Sequence, residues 1–165
     1  MLFSRSVALL SALLAFLSLP GNLHAEDTSP DLIRSYGETY YVPAYSKIFS
    51  FTSQSELLAS TLTVHNVDPD TSIELTAVSY HGEDGKKLKE LTEEVIKLAP
   101  FGSRSYLIPR NDQTGGIGAN FIVSWKAGTP ALSPLVESVM IGGVSSPGTS
   151  FALRGRVIDR KTAPD

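Results

Sequence analysis

Beyond residue 38, apolar and polar residues alternate with a period of two, the spacing that turns one side of an extended strand toward a core. "TYYVPAY" (39–45) reads as an extended segment, and Pro43, which has no N–H to offer a neighbour, places it at a sheet edge. In "ASTLTVHN", Leu62 and Val64 fall on one face, with Thr61 and Thr63 on the other. "NVDPDT" (66–71) is a turn in which Asp side chains bond nearby backbone and Pro69 fixes φ. "SIELTAVSY" alternates Ile73, Leu75 and Ala77 against Glu74, Thr76 and Val78 before the turn "HGEDGKK". "KLKELTEEVIKL" (87–98) is ambiguous. Its Leu88, Leu91, Val95 and Leu98 have helical spacing, so one helical turn over 88–94 stands beside a strand, with extended chain favoured after Val95. "ANFIVSWK" sets Phe121, Val123 and Trp125 inward. "LVESVMIGG" is a strand with Val139 and Ile141 as core positions. "TSFALRGRVID" is a last strand with Phe151, Leu153 and Val157 inward and Ala152, Arg154 and Arg156 outward.

Strands at intervals of roughly ten residues with turns between them predict an all-β fold, an immunoglobulin-like antiparallel β-sandwich of seven to eight strands. The single domain spans 38–158, and 159–165 is a polar tail. At the N-terminus, Arg5, an apolar run from Val7 to Leu19, the breakers Pro20 and Gly21, and the small Ala25 follow the order of a secretory signal peptide. Cleavage is expected between Ala25 and Glu26, which gives a signal peptide of 1–25 and a loose polar leader of 26–37. The apolar run is shorter than the about 20 residues a membrane-spanning helix needs. The expected location is the periplasm or the extracellular space.

Of the chain's 14 basic and 17 acidic residues only Arg5 precedes Glu26, so the mature chain carries a net charge of −4. Without a basic cluster, nucleic acid is not an expected partner, because neutralising phosphates takes grouped Lys or Arg. There is no Cys, which removes disulfides, thiol catalysis and zinc-thiolate sites together.

The glycines of "NDQTGGIGANFIVSWK" (111–126) invite comparison with a phosphate loop. A dinucleotide fingerprint would need a third glycine at Phe121 and a helix after it, and "FIVSW" is a strand pattern instead. Gly115, Gly116 and Gly118 therefore read as a turn. "GVSSPG" (143–148) lacks the last glycine of a nucleophile elbow, so Ser145 is not expected to be a nucleophile. "DPDTS" begins like a calcium loop with Asp68 and Asp70, but Ile73 and Ser79 stand where glycine and glutamate belong. A capped turn is the better reading, with a weak calcium site around Asp68, Asp70, Glu83 and Asp84 as the alternative. If 72–80 is hairpinned to 58–65, His65 and His81 lie at opposite ends, about 30 Å apart. The tyrosines Tyr36, Tyr40, Tyr41 and Tyr45 read as core or cap packing.

Three stretches, "YVPAYS" (41–46), "TGGIGANFIVSWKA" (114–127) and "VESVMIGGVSSPGTSFALRGRVI" (136–158), together resemble an exported bacterial family known as domain-of-unknown-function family 3124. "TVHNVDPDTSIELTAVSYHGEDGK" fits it as well, so the resemblance covers about residues 38–158. Leu153 stands where the family usually carries a polar residue. The resemblance implies an exported single domain and brings no activity or catalytic residue. "LAPFGSRSYLI" (98–108) looks like the turn-and-strand of bacterial immunoglobulin-like sandwiches, a likeness of fold alone.

With no reactive constellation, the expected function is a non-enzymatic binding or assembly module of the periplasm, with no cofactor, no metal and no membrane span. A protein partner would bind at a strand edge or end loops, with Arg154, Arg156, Asn111, Asp112, Gly115, Gly116 and Gly118 as the candidate surface. The alternative is a small-ligand or calcium-binding exported domain. The oligomeric state is left open.

Overall fold

The computed structural model describes residues 32–143 and 148–163. The expected signal peptide, the leader through residue 31, Ser145 and the last two residues lie outside the described residues. The described chain folds into eleven strands: β1 (Arg34–Pro43), β2 (Lys47–Phe51), β3 (Gln54–His65), β4 (Ile73–His81), β5 (Lys87–Glu90), β6 (Ile96–Leu98), β7 (Ser103–Ile108), β8 (Asn120–Leu132), β9 (Leu135–Gly142), β10 (Ser150–Arg154) and β11 (Arg156–Lys161). All pairings are antiparallel, and among the described residues there is no helix.

Two sheets form a sandwich. Sheet I runs β11-β1-β8-β4-β5, with β6 beside β5 on the flank of β4; sheet II runs β10-β9-β3-β2, with β7 beside β2 on the flank of β3. Between them lie Leu62, Val64, Ile73, Leu75, Phe121, Val123 and Trp125, all buried as their alternation requires, with Tyr40, Val42 and Tyr80. Tyr45 instead stands against Phe151, ring centroids 6.1 Å apart.

The structure corrects several expectations. Eleven strands replace seven or eight, because β2 forms from a stretch whose alternation is short and the last strand breaks in two at Gly155. The 88–94 segment is not helical: β5 pairs with β4, and the Leu91 N–H goes on to the Val78 carbonyl at 2.7 Å. A single turn in a charged segment has too few internal bonds to hold against strand pairing. β1 is central, between β11 and β8, and Pro43 does not force it to an edge. Its pairing with β11 ends at Tyr41, so the missing N–H of Pro43 falls past the end of that ladder. β3 and β4 are not a hairpin; they belong to different sheets.

The strands also reach past the expected domain edges, into 34–37 and 159–161. Glu38 explains both. It is buried, and its Oε1 accepts from Arg160 Nε at 2.7 Å and Ser133 Oγ at 2.8 Å, while Oε2 accepts from the Tyr40 hydroxyl at 2.8 Å. Glu38 and Arg160 face each other across the β1–β11 pair, so the buried carboxylate holds the tail strand in place. In β9 the expected core positions are reversed. Val136, Ser138 and Met140 point inward, while Val139 is half-exposed and Ile141 is 55% exposed. Phe151, Leu153 and Val157 do face inward but stay half-buried.

Candidate interaction surface

The glycine loop is a strut built from its own backbone. Asp112 Oδ1 accepts from the Thr114 N–H (3.1 Å) and hydroxyl (2.6 Å), and its other oxygen pairs with Lys89. Burial would raise the Asp112 carboxyl, but Lys89 and Thr114 more than reverse this and hold it below its ordinary value. Gly116 sits at φ +74°, its carbonyl accepts from Ser46 N–H at 3.1 Å, and the next amide, Ile117 N–H, goes to Glu83 Oε2 at 3.0 Å. A Cβ on Gly115 would lie 2.0 Å from the Tyr80 hydroxyl, and one on Gly116 would lie 2.4 Å from the Glu83 carboxylate. The glycines let the loop lie flat against β4 and the β4–β5 turn. Tyr80 in turn shares a hydrogen bond of 2.7 Å with Ser46 Oγ. The loop leads into β8, and the amides a phosphate would need are turned to Glu83 and to Gln113, whose carbonyl takes the Gly116 N–H at 3.4 Å. Of this group, Asn111 and Gly118 face solvent, whereas Gly115 is buried.

Arg154 and Arg156 are both exposed, as the alternation indicates, but they do not form one ladder. Gly155 carries the chain from sheet II to sheet I, so Arg154 lies opposite Glu137 on β9 and Arg156 opposite Tyr41 on β1. The reason lies in the contact at the crossing. The Gly155 N–H binds the Val136 carbonyl at 2.8 Å, and a Cβ there would stand 2.9 Å from Val42 Cγ2. Such corners, where a strand changes sheets, are where sandwiches bend.

Arg154 instead borders a surface that the pattern of the sequence hid. Three rows cross the outward side of sheet II. Leu107, Thr61, Val139 and Ala152 make the first; Ala59, Ile141 and Ser150 make the second; Ser105, Thr63, Glu137 and Arg154 make the third. The first two rows carry no charge, and Leu107 and Ile141 are 60% and 55% exposed. The third row is polar, with Thr63 and Ser105 hydroxyls 3.0 Å apart and the Glu137–Arg154 pair at its end. A signal was present: in "LVESVMIGG" residues of both parities are apolar, which a strand packed on one face alone does not need.

The acidic turns serve the fold. Asp68 is buried, and its Oδ1 accepts from the N–H groups of Asp70 (2.9 Å) and Thr71 (2.8 Å), while Oδ2 accepts from Leu132 N–H (2.8 Å) and Arg34 (2.6 Å). Burial alone would raise this carboxyl, but the three amides and Arg34 outweigh it and bring it down to about 2. With four donors on two oxygens, Asp68 is already coordinated by the protein itself. Glu83 and Asp84 likewise accept backbone N–H groups, from Ile117 and Lys86. Among the described residues no group of three or more His, Asp or Glu is placed to hold a metal ion. His81 lies between Ser79 Oγ (2.9 Å from Nε2) and the Gly85 carbonyl (3.2 Å from Nδ1), so the neutral ring carries its proton on Nδ1. His65, on the other sheet, faces Glu137 at 3.8 Å.

On the outward side of sheet I there is a depression of about 310 Å³ beside the bare backbone of Gly37, lined in part by Thr39, Thr76, Ser124 and Lys126. Its hydroxyls are engaged with the sheet: Thr39 Oγ1 with Ser124 Oγ at 3.0 Å, and Thr76 Oγ1 with the Ser124 carbonyl at 3.2 Å.

No curated protein matches the chain. Among solved structures it is similar to "Crystal Structure of Thermotoga maritima 1070", with 11% identity and a TM-score of 0.43, over 72% of this chain and 92% of that one. The family model described as "Protein of unknown function (DUF3124)" matches residues 37–158, from within β1 to within β11, and the chain belongs to that family.

Proposed function

We propose that this domain is a non-catalytic exported binding module that takes a protein partner on the outward side of sheet II. One observation carries the reading: two adjoining uncharged rows across β7, β3, β9 and β10, with Leu107 and Ile141 more than half exposed. Contiguous exposed apolar surface rimmed by polar residues is a mark of association. Covering the exposed part of Leu107 and Ile141 would contribute about 1–1.5 kcal/mol each. The Glu137–Arg154 row supplies a rim that fixes orientation. Catalysis draws no support from the reactive groups of the end loops, since Asp68, Glu83 and Asp112 each hold a turn together. Export rests on the charged, apolar and small-residue order of residues 1–25.

Crosslinking capture from the periplasm tests this, with residues 26–165 as bait. A Leu107→Asp/Ile141→Asp pair is expected to abolish capture of a specific protein without lowering Tm, since both side chains point outward. Arg154→Ala should weaken capture and Arg156→Ala should leave it intact. A partner retained by the Asp pair would refute the assignment.

A further inference from the structure

The hairpin of β2 and β3 extends beyond the sandwich. β3 pairs with β9 only from Leu58 onward and with β7 only from Ser60 onward, whereas residues Gln54–Leu57 pair with β2 alone. Of this ribbon, residues 49–55 are all exposed and project beyond both sheets, whereas Glu56 and Leu57 are half-buried at its base. At the tip Phe49 is 68% exposed and Phe51 72%. Phe49 lies opposite Ser55 and Phe51 opposite Gln54, with a register shift between them that adds one residue on the β2 side. Partners directly across an antiparallel pair share a side, and Ser55 and Gln54 are neighbours on β3, so the two rings flank opposite sides of the ribbon.

No charge occurs from Ile48 to Ser55. Charged residues gather instead at the base. Lys47 lies opposite Leu57, Arg110 Nε donates to the Leu57 carbonyl at 3.2 Å, and Glu56 is met by the Thr149 hydroxyl at 3.4 Å.

We propose that this tip inserts into the interfacial layer of a lipid bilayer and anchors the domain peripherally. A flat partner surface covers one side of a ribbon, whereas a fluid medium closes around a tip with an aromatic ring on each side. Half of the ribbon's backbone N–H and C=O groups pair across it, and those on its outer edges keep water and headgroup partners because the tip enters only the interfacial layer. Phenylalanine provides apolar area that acyl chains accept. Lys47 lies two residues before Phe49, about 7 Å back along the strand, with Arg110 beside Leu57, so two cations at the ribbon's base face the headgroup layer against the one anion Glu56. This surface is separate from the two uncharged rows on sheet II, and either reading can fail without the other.

Vesicle sedimentation tests it, using phosphatidylethanolamine and phosphatidylglycerol at 3:1 and the chain from Glu26. The chain without its expected signal peptide is the right probe, because the apolar run at 7–19 would bind lipid by itself. The β domain has its own core, and Leu32–Asp165 forms one compact unit. Wild type should sediment with the vesicles, and Phe49→Ser/Phe51→Ser should weaken partitioning about 100-fold, tenfold for each ring. Phe101→Gly removes a ring that is 74% exposed at the opposite end of β3 and should change nothing. In a Phe51→Trp variant the indole emission should shift to the blue on vesicles and become shielded from acrylamide. No sedimentation of wild type would overturn the proposal. So would equal binding by the double variant, equal loss with Phe101→Gly, or an indole that stays open to quencher. A tip that binds a purified protein but no vesicles would also overturn it, in favour of a concave protein pocket.

Discussion

Replacing Asp68 by asparagine tests whether the 66–71 turn is the fold's main electrostatic clasp. The native carboxylate takes two amides on Oδ1 and an amide plus Arg34 on Oδ2, and it joins this turn to the start of β1 and the end of β8. Asparagine keeps an acceptor for Asp70 and Thr71 but turns an NH₂ toward the Leu132 N–H and Arg34, donor against donor. The native pKa of about 2, against 3.8 for an ordinary aspartate, corresponds to about 2 kcal/mol of stability. Because the folded value is the lower one, this contribution is complete above about pH 5 and is lost as pH falls toward 2. Leaving a buried donor unpaired adds to the loss, so Asp68→Asn should cost about 2–4 kcal/mol at pH 7 and lower Tm by on the order of 10 °C. Urea denaturation at pH 7, 5, 3 and 2.5 measures both effects. Wild type should lose about 1.5 kcal/mol more than the variant between pH 5 and 2.5. A variant within about 0.5 kcal/mol of wild type at pH 7, or two chains declining in parallel, would refute the clasp.

Other outcomes follow from close contacts and buried groups. Gly115→Ala should cost about 2–4 kcal/mol, because its methyl would displace the Tyr80 hydroxyl from Ser46; Gly85→Ala, at φ +79° but with open space around it, should cost about 1–2 by the same denaturation assay. Phe101 occupies φ 59° at the third position of the Ala99–Gly102 turn, a place that favours glycine, so Phe101→Gly should raise stability by about 0.5–1 kcal/mol, read as an increase in Tm. Burial, and then the hydrogen bond to Glu38, push the Tyr40 hydroxyl above its ordinary value of 10.0, so its contribution is whole below pH 10 and declines above it. Wild type should therefore destabilise more steeply than Tyr40→Phe between pH 9 and 11, in denaturation curves at each pH.

What was legible in the sequence depended on whether a strand had one apolar parity or two. Leu62/Val64, Ile73/Leu75 and Phe121/Val123/Trp125 alternate with polar residues, and each set is buried as expected. β9 has apolar residues at both parities, so alternation alone could not say that Met140 faces in and Ile141 out. The break at Gly155 was invisible for a different reason. The chain changes sheets without changing which parity faces inward, so Arg154 and Arg156 look like neighbours in one strand although their partners are Glu137 and Tyr41. The glycine loop was readable as a turn, because a strand follows it, but its contacts with Glu83 and Tyr80 are tertiary. Asp68 was readable as a turn cap through Asp70 and Thr71. Its bonds to Arg34 and Leu132, 34 and 64 residues away, have no local trace.

The two outward faces of the sandwich meet the same solvent and are built differently. On sheet I each outward row holds charge: Arg156, Tyr41, Ile122, Ser79 and Glu90 in one; Asp159, Thr39, Ser124 and Ala77 in the next; Lys161, Gly37, Lys126, Glu74 and Lys97 in the third. Sheet II has two adjoining rows with none, then one with an opposed Glu137 and Arg154. A shortage of polar residues cannot account for this, since the same chain covers sheet I with them. Nor can the demands of the core, because Leu107, Val139 and Ile141 point away from it. An apolar face left open invites association during folding, and charged side chains on exposed sheet are the usual protection against it. Sheet I carries that protection at its edge, where β11 turns Arg156, Asp159 and Lys161 outward. Its absence from the middle of sheet II is therefore a property of that surface, and the Leu107→Asp/Ile141→Asp pair separates its two explanations. A surface kept for a partner loses capture at unchanged Tm, whereas one that supports the fold loses both.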